Sequence, residues 1–179
     1  MKLIILDRDG VINQESDEFI KSPEEWVPIP GSLEAIARLS NSGYAVVVAT
    51  NQSGIARGLF DSDTLNKIHS KMMKAVQEKG GTIDGIFFCP HSPKEGCLCR
   101  KPKPGLLLDI EKRFRVDLSE VTIVGDSMRD IESALSVNAI PYLVLTGNGR
   151  ATLKEHADAL VNVPHFENLQ ALVEHLLST

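Results

Sequence analysis

The chain has 179 residues, of which 42% are hydrophobic and 24% charged, and its formal net charge at pH 7 is −5. These values are typical of one globular domain with its own core, so we treat residues 1–179 as a single domain. The negative charge and the lack of a Lys/Arg block disfavour nucleic acid as a partner. The longest apolar runs fall far short of the roughly 18 residues that cross a bilayer, and the start of the chain has no signal-peptide pattern. We therefore expect a cytoplasmic monomer without a membrane partner.

Apolar runs alternate with helical patterns along the chain, which predicts parallel strands joined by helices. The predicted strands are 3–6, 44–49, 86–88, 121–124, 140–144 and 159–161. The predicted helices are 32–41, 61–79, 105–114, 127–137 and 165–177. Strands that consist of continuous apolar runs are typical of a sheet buried on both faces. We therefore expect an α/β fold with a doubly wound, mainly parallel sheet and helices on both faces.

Polar side chains follow several of the predicted strands at the point where each strand ends. Asp7 and Asp9 come directly after the first strand, Thr50 follows the second, and Asp126 follows the fourth. Ligands of such sheets bind at the carboxyl ends of the strands, so these residues are expected to share one site. Residues i and i+2 of a strand point to the same side, which allows Asp7 and Asp9 to face one pocket.

Two carboxylates this close together indicate a divalent cation, because like charges in a partly buried pocket repel. Mg²⁺ prefers oxygen ligands and binds through one or two carboxylates together with substrate phosphate. Asp130, one turn after Asp126, could hold a metal-bound water, while Thr50 and Lys101 could bind phosphate oxygens. The pattern favours attack on phosphorus by one aspartate while a second acid manages the proton.

Four segments, LDRDG, TNQSG, RKPKPG and GDSMRD, resemble in order and spacing the motifs of the haloacid dehalogenase superfamily of phosphatases. The resemblance implies a core of the same Rossmann-like kind. It implies that Asp7 is the nucleophile and that Asp9 is the general acid and base. It also implies that Thr50 and Lys101 stabilise the phosphoryl group.

The same resemblance implies a magnesium site at the end of the first and fourth strands. Its expected ligands are Asp7, the backbone carbonyl of Asp9, and Asp126. Ser127 and Asp130 are secondary candidates in this site.

The segment CPHSPKEGCLC brings four metal-binding side chains into one short loop: Cys89, His91, Cys97 and Cys99. Three thiols and one imidazole are a donor set typical of tetrahedral Zn²⁺. Four protein ligands leave no open position, so the zinc would be structural and would order the loop 89–103. The alternative is a set of inert buried thiols beside an exposed histidine.

Together, the phosphatase motifs and the cysteine loop resemble two kinds of superfamily member. One kind removes the 7-phosphate of D-glycero-D-manno-heptose 1,7-bisphosphate during lipopolysaccharide precursor synthesis, and the other hydrolyses histidinol phosphate. The segments LDRDGVIN, TNQSGIARG and CRKPKPG favour the first kind, and the second stays as the alternative. The interval between His91 and Cys97 is shorter than in some members, which changes the loop but keeps the ligands.

The intervals between the motifs leave no room for a large cap domain, so we expect an open site with the zinc loop as a partial wall. The expected substrate-binding residues are Glu15, Ser16, Asp17, Glu18, Asn51, Gln52, Ser53, Arg57 and Arg100. Arg57 and Arg100 are the candidates for a distal phosphate. For 15–18 and for Arg57, a solvated surface position is an equally simple interpretation. Trp26 is expected to pack in the core and His69 to be a surface or helix residue without a ligand role.

Two further functional classes fit parts of the pattern. A phosphate-accepting receiver module also uses clustered aspartates with threonine and lysine, but it needs no leaving-group acid at Asp9. A zinc-organised nucleic-acid binder is disfavoured by the acidic charge and the lack of interleaved aromatic residues.

Overall fold

A computed structural model describes all residues from 1 to 179 and contains one six-stranded parallel sheet. The strands are β1 Lys2–Leu6, β2 Tyr44–Asn51, β3 Gly85–Cys89, β4 Thr122–Gly125, β5 Ile140–Val144 and β6 His165–Phe166. The helices are α1 Ser32–Asn41, α2 Ser62–Glu78, α3 Gly105–Phe114, α4 Met128–Ser136, α5 Gly149–Glu155 and α6 Leu169–Ser178. None of these helices has the length and apolar character needed to span a membrane.

The order of the strands across the sheet is β3-β2-β1-β4-β5-β6, and every neighbouring pair is parallel. Successive strands first extend the sheet to one side of β1 and then, from β4 onward, to the other side. The connections therefore diverge between β1 and β4 and leave a crevice beyond their carboxyl ends. Sheets of this kind bind ligands in that crevice.

Helices cover both faces of the sheet because the strands are apolar on both sides. Ile4, Leu6 and Val48 pack in a cluster with residues of α1, α2 and α6. Ile5 and Val47, which alternate with them, pack in a second cluster with residues of α3 and α4. The predicted doubly wound arrangement is confirmed.

The start of α4 is fixed by a reciprocal cap that also belongs to the functional edge. The side chain of Ser127 and the side chain of Asp130 each accept from the backbone N–H of the other residue. Such a capping box satisfies two of the N–H groups that a helix start leaves without partners. Asp126 is thereby held at the junction between β4 and α4.

The last quarter of the chain differs from the sequence prediction. Residues 159–161 are not a strand: they lie in a turn, and Leu160 packs against Leu143 and Leu145 instead. The strand beside β5 is β6, so the helix predicted from residue 165 begins only at Leu169. Helix α5 was not predicted, because its short sequence GRATLKE carries little apolar periodicity. An isolated Ala-Leu-Val run cannot distinguish strand from packed turn, and here tertiary contacts decide.

Candidate active site

A cleft of about 330 Å³ lies at the carboxyl edge of the sheet and gathers most of the predicted site residues. Its lining consists of Asp7, Asp9, Glu15, Ser16, Asp17, Phe19, Thr50, Asn51, Gln52, Ser53, Arg57, Arg100, Lys101, Asp126, Ser127, Arg129, Asp130 and Asn148. Of the predicted substrate residues, Glu18 alone is absent from this lining, and it is exposed. Phe19, Arg129 and Asn148 belong to the lining and were not predicted.

Lys101 forms the cationic centre of the cleft although it is only 5% exposed. Its Nζ lies 3.1 Å from Oδ1 of Asp7 and 2.6 Å from Oδ1 of Asp130. It also donates to the carbonyl oxygen of Ala49 at 2.9 Å. Burial disfavours the charged amine, but Asp130 and Asp7 outweigh it and raise the pKa of Lys101. A permanent ammonium group therefore lies directly beside the expected nucleophile.

Asn51 joins the loop of Lys101 to the end of β2. Its Oδ1 accepts from the backbone N–H of Lys101 at 3.0 Å, and its Nδ2 donates to the Lys101 carbonyl at 3.2 Å. A side-chain amide that satisfies both backbone groups of one residue fixes that residue's position. Asn51 was expected to touch substrate, and this pairing also gives it a role in placing Lys101.

Asp7, Asp126 and Asp130 bring carboxylate oxygens within 4.8 Å of one another. Burial, with repulsion from Asp130, raises the pKa of Asp7 to about 7. Burial, with repulsion from Asp7 and Asp130, raises the pKa of Asp126 to about 9. Lys101 alone cannot balance three ionised carboxylates, so full ionisation of this edge requires further positive charge. A hard divalent cation such as Mg²⁺ fits this oxygen donor set.

Asp126 is closely enclosed by backbone, which explains the glycine in LDRDG. A Cβ atom at Gly10 would lie 1.9 Å from Oδ2 of Asp126, and Gly10 has a φ of +84°. The backbone N–H of Asn148 donates to the same oxygen at 2.9 Å. The loop after β1 can approach Asp126 only because residue 10 has no side chain.

Asp130 differs from its two neighbours because protein donors occupy both of its oxygens. Oδ1 accepts from Lys101, while Oδ2 accepts from the backbone N–H groups of Asp126 and Ser127 and from the Ser127 hydroxyl. These contacts assign Asp130 the task of holding Lys101 and the start of α4. Asp7 and Asp126 keep more of their acceptor capacity for a cation.

The side chain of Asp9 faces the same cleft but lies outside the carboxylate cluster. Its Oδ1 accepts from Nε of Arg8 at 2.8 Å and from Nδ2 of Asn13 at 2.9 Å. Its Oδ2 accepts from Nε2 of Gln52 at 3.3 Å. The expectation of a cation between the Asp7 and Asp9 side chains is thus corrected, because Arg8 balances Asp9. Burial opposes ionisation, but Arg8 and these hydrogen bonds hold the pKa of Asp9 below its ordinary value.

Thr50 is almost fully buried at the end of β2, and its hydroxyl accepts from Nε2 of Gln52 at 2.9 Å. The amide of Gln52 therefore connects Thr50 with Asp9 across the floor of the cleft. The Thr50 hydroxyl has one acceptor within reach, the Asn51 carbonyl at 3.4 Å, which is a weak contact. The hydroxyl can therefore donate to a phosphate oxygen instead.

Three guanidinium groups line the cleft without forming an ion pair: those of Arg57, Arg100 and Arg129. No carboxylate oxygen lies within 4.0 Å of any of them. Arg129 was not predicted as a site residue, because in GDSMRD only the aspartates and Ser127 were interpreted as functional. Its place in the first turn of α4, directly after the carboxyl end of β4, was the signal that could have identified it, because helix starts at this edge of the sheet bind anions.

Cys89, His91, Cys97 and Cys99 converge as the sequence predicts, and their donor atoms all lie within 4.8 Å of one another. Sγ of Cys89 lies 3.6 Å from Sγ of Cys97 and 3.4 Å from Nδ1 of His91. Nδ1 of His91 lies 3.2 Å from Sγ of Cys99. Three thiols and one imidazole this close together fit tetrahedral Zn²⁺.

Comparisons with known proteins agree with this geometry. Residues 98–171 match the HAD-hydrolase-like family model. The chain is 56% identical over 177 residues to the D-glycero-beta-D-manno-heptose-1,7-bisphosphate 7-phosphatase of Bordetella bronchiseptica, covering 99% of this chain and 98% of that protein. Identity to the Pseudomonas putida protein of the same name is 51%, covering 99% and 100%.

The chain belongs to the D-glycero-beta-D-manno-heptose-1,7-bisphosphate 7-phosphatase family. A crystal structure from this family, the B. bronchiseptica D,D-heptose 1,7-bisphosphate phosphatase with magnesium and phosphate, has a TM-score of 0.96 to this chain. It is 55% identical and covers 99% of both chains. The predicted membership of the haloacid dehalogenase superfamily and of its heptose bisphosphate branch is confirmed.

Proposed function

We propose that this chain is a Mg²⁺-dependent phosphomonoesterase that removes the 7-phosphate of D-glycero-D-manno-heptose 1,7-bisphosphate. The observation that carries the proposal is the buried Lys101 ammonium between Asp7 and Asp130, in a chain of this phosphatase family. Its biological place is the supply of heptose precursors for lipopolysaccharide, as the resemblance implies.

In the first half-reaction, a carboxylate oxygen of Asp7 attacks phosphorus and the bond to the sugar oxygen breaks. Lys101 and the hydroxyl of Thr50 bind phosphoryl oxygens as charge builds on them. Asp9 gives a proton to the departing sugar oxygen. Because Asp9 is held ionised in the free protein, that proton arrives with the substrate, whose phosphate monoanion carries one.

In the second half-reaction, Asp9 works in the opposite direction as a general base. It takes a proton from a water molecule whose oxygen attacks the phosphorus of the phosphorylated Asp7. The bond between phosphorus and the Asp7 oxygen breaks, inorganic phosphate leaves, and Asp9 releases its proton to solvent, which restores the ionised form. The hydrogen bonds from Arg8, Asn13 and Gln52 favour the ionised form of Asp9 that this step requires.

Two metals fit the two separate donor sets of this chain. Asp7, Asp126 and the backbone carbonyl of Asp9 would hold Mg²⁺, with Ser127 and Asp130 at its border. Bound there, Mg²⁺ supplies positive charge that offsets the repulsion between Asp7, Asp126 and the phosphate. We assign structural Zn²⁺ to Cys89, His91, Cys97 and Cys99.

The unpaired guanidinium groups supply the second feature that a bisphosphate needs. While one phosphate reacts beside Lys101, the other requires a cationic site elsewhere in the cleft. Arg57, Arg100 and Arg129 are the candidates, since guanidinium binds phosphate through paired N–H donors. Glu15, Ser16 and Asp17 supply acceptors for sugar hydroxyls.

The first experiment is phosphate release in Mg²⁺ from heptose 1,7-bisphosphate and from histidinol phosphate, measured side by side. We expect a kcat/KM at least a hundredfold higher for the bisphosphate. A preference for histidinol phosphate would keep the mechanism and assign the chain to histidine synthesis. Phosphorylation without repeated turnover of either compound would favour a receiver module.

A further inference from the structure

Arg8, the middle residue of the Asp-x-Asp motif, is completely buried beside the site. Burying a guanidinium group is costly unless every donor finds a partner. Here Nη2 of Arg8 has no hydrogen-bond partner, so the contacts of the guanidinium group do not fully offset the cost of removing it from water. Burial of a charged residue at such a cost, directly beside a general acid, indicates that the residue has a role in the reaction.

Arg8 connects two groups that belong to different parts of the fold. Its Nε donates to Oδ1 of Asp9 at 2.8 Å, and its Nη1 lies 3.1 Å from Nε2 of His69 in the middle of α2. A guanidinium group only donates hydrogen bonds, so His69 accepts at Nε2 and carries its proton on Nδ1. Burial, reinforced by Arg8, lowers the pKa of His69 to about 3, which keeps the ring neutral.

The contacts also distinguish the two oxygens of Asp9. Oδ1 accepts two strong hydrogen bonds, from Arg8 and Asn13, whereas Oδ2 has only the 3.3 Å contact with Gln52. A carboxylate held at one oxygen cannot turn freely about its Cβ–Cγ bond. The other oxygen is then left to exchange a proton with a group in the cleft.

We propose that Arg8 and His69 are positioning residues for general acid catalysis: His69 orients Arg8, and Arg8 fixes Asp9 so that Oδ2 carries the transferred proton. This inference rests on the proposed phosphatase mechanism but adds a part of α2 that touches no substrate. It replaces the sequence expectation that His69 is a surface or filler residue, because His69 is only 6% exposed.

The test uses the dependence of kcat/KM on the leaving group. This constant reports the step that phosphorylates Asp7, in which a sugar alkoxide needs a proton from Asp9 and a nitrophenolate does not. We expect His69→Leu to lower kcat/KM at least tenfold for heptose 1,7-bisphosphate, or for another alkyl phosphate that the unmodified protein hydrolyses. For 4-nitrophenyl phosphate the loss should stay below threefold.

Three further variants separate positioning from general damage. His69→Gln keeps an acceptor near Nε2 and should bring the alkyl kcat/KM back to within threefold of the unmodified protein. Arg8→Lys keeps the charge but cannot reach Asp9 and His69 together, so it should repeat the leaving-group effect even if His69→Leu does not fold. Met72→Ala removes a buried side chain of the same helix and should lower Tm without changing the ratio of the two substrates.

Equal losses for both substrates in the His69 and Arg8 variants would overturn the proposal, and so would unchanged kcat/KM for the alkyl phosphate. Failure of the proposed function is a separate result. It would appear in the unmodified protein as a lack of preference for the heptose bisphosphate, whatever the variants do.

Discussion

Two aspartates with the same side chain, placed two residues apart, have opposite electrostatic environments. Asp7 lies among other carboxylates, and burial together with Asp130 raises its pKa to about 7. Asp9 is partly buried as well, yet Arg8 and two amide donors lower its pKa. This difference fits two separate roles. Asp7 is a nucleophile that a cation must activate, and Asp9 is a proton carrier that the protein itself orients.

The first prediction concerns Asp7. Asp7→Asn should lower kcat more than a hundredfold, because an amide oxygen cannot form the phosphoryl intermediate. The fold should be kept, since Asn retains the size of the side chain and its acceptor for the backbone N–H of Arg8. Turnover and circular dichroism on the same sample would check both parts. A residual kcat above one hundredth of the unmodified value would exclude Asp7 as the nucleophile.

The second prediction concerns Arg129, which the sequence interpretation missed. Arg129→Gln should raise KM for the bisphosphate about tenfold and leave kcat within threefold, because the residue binds the non-reacting phosphate. For a substrate without a distal phosphate, KM should not change. Arg113→Gln, which removes an exposed arginine from α3 outside the cleft, is the matched control. Equal KM changes in the two variants would remove Arg129 from the phosphate site.

At the scale of elements, an irregular segment of the chain carries two of the basic side chains that line the cleft. Residues 89–103 contain only one short 3-10 helix, Pro93–Glu95, yet they present Arg100 and Lys101 to the cleft. Asn51 holds one side of this loop, and the four clustered donors hold the other. A loop with so little core of its own depends on such contacts for its order.

The third prediction therefore concerns zinc. Removing zinc with a chelator should raise hydrogen exchange in residues 89–103 and lower kcat/KM at least tenfold, while the strands stay protected. Adding Zn²⁺ back should restore both properties. Cys97→Ser should behave like the chelated protein, and Lys94→Ala, an exposed residue of the same loop, should not. Zinc-free protein with full activity and full protection of the loop would contradict a structural role.

At the scale of the whole molecule, the carboxyl edge of the sheet brings several ionisable side chains together. Their repulsion lowers the stability of the folded protein. The carboxyls of Asp7 and Asp126 have raised pKa values in the folded protein. Without a cation, the folded state therefore binds protons that the unfolded state releases above pH 4. Stability is thus greatest at low pH for these two groups and falls as pH rises toward 7 and 9.

The fourth prediction follows from this loss of stability with rising pH. Between pH 6.5 and 8.5 the Tm of magnesium-free protein should fall, with a stability loss of up to about 1.4 kcal/mol per pH unit for each titrating carboxyl. The pH window stays at or above the ordinary pKa of histidine, which limits the opposite contribution of His69. Saturating Mg²⁺ should raise Tm more at pH 8.5 than at pH 6.5.

Asp126→Asn provides the matched control for this measurement. It should stabilise the magnesium-free protein at pH 8.5, because Asn is neutral without having to bind a proton on folding, and it should abolish most of the gain from Mg²⁺. A Tm of the unmodified protein that rises with pH in the absence of Mg²⁺ would contradict the predicted coupling between metal and protons.

The sequence by itself determined the alternating strands and helices, the order of the four phosphatase motifs and the donor set of the cysteine loop. These features are local: apolar runs, short spacings and residue chemistry are visible along the chain. Only the tertiary structure decided that 159–161 is a turn, that Arg129 joins the cleft and that His69 is buried against Arg8. Those outcomes depend on which segments meet in space, because a buried partner from a distant helix leaves no mark in the spacing of neighbouring residues.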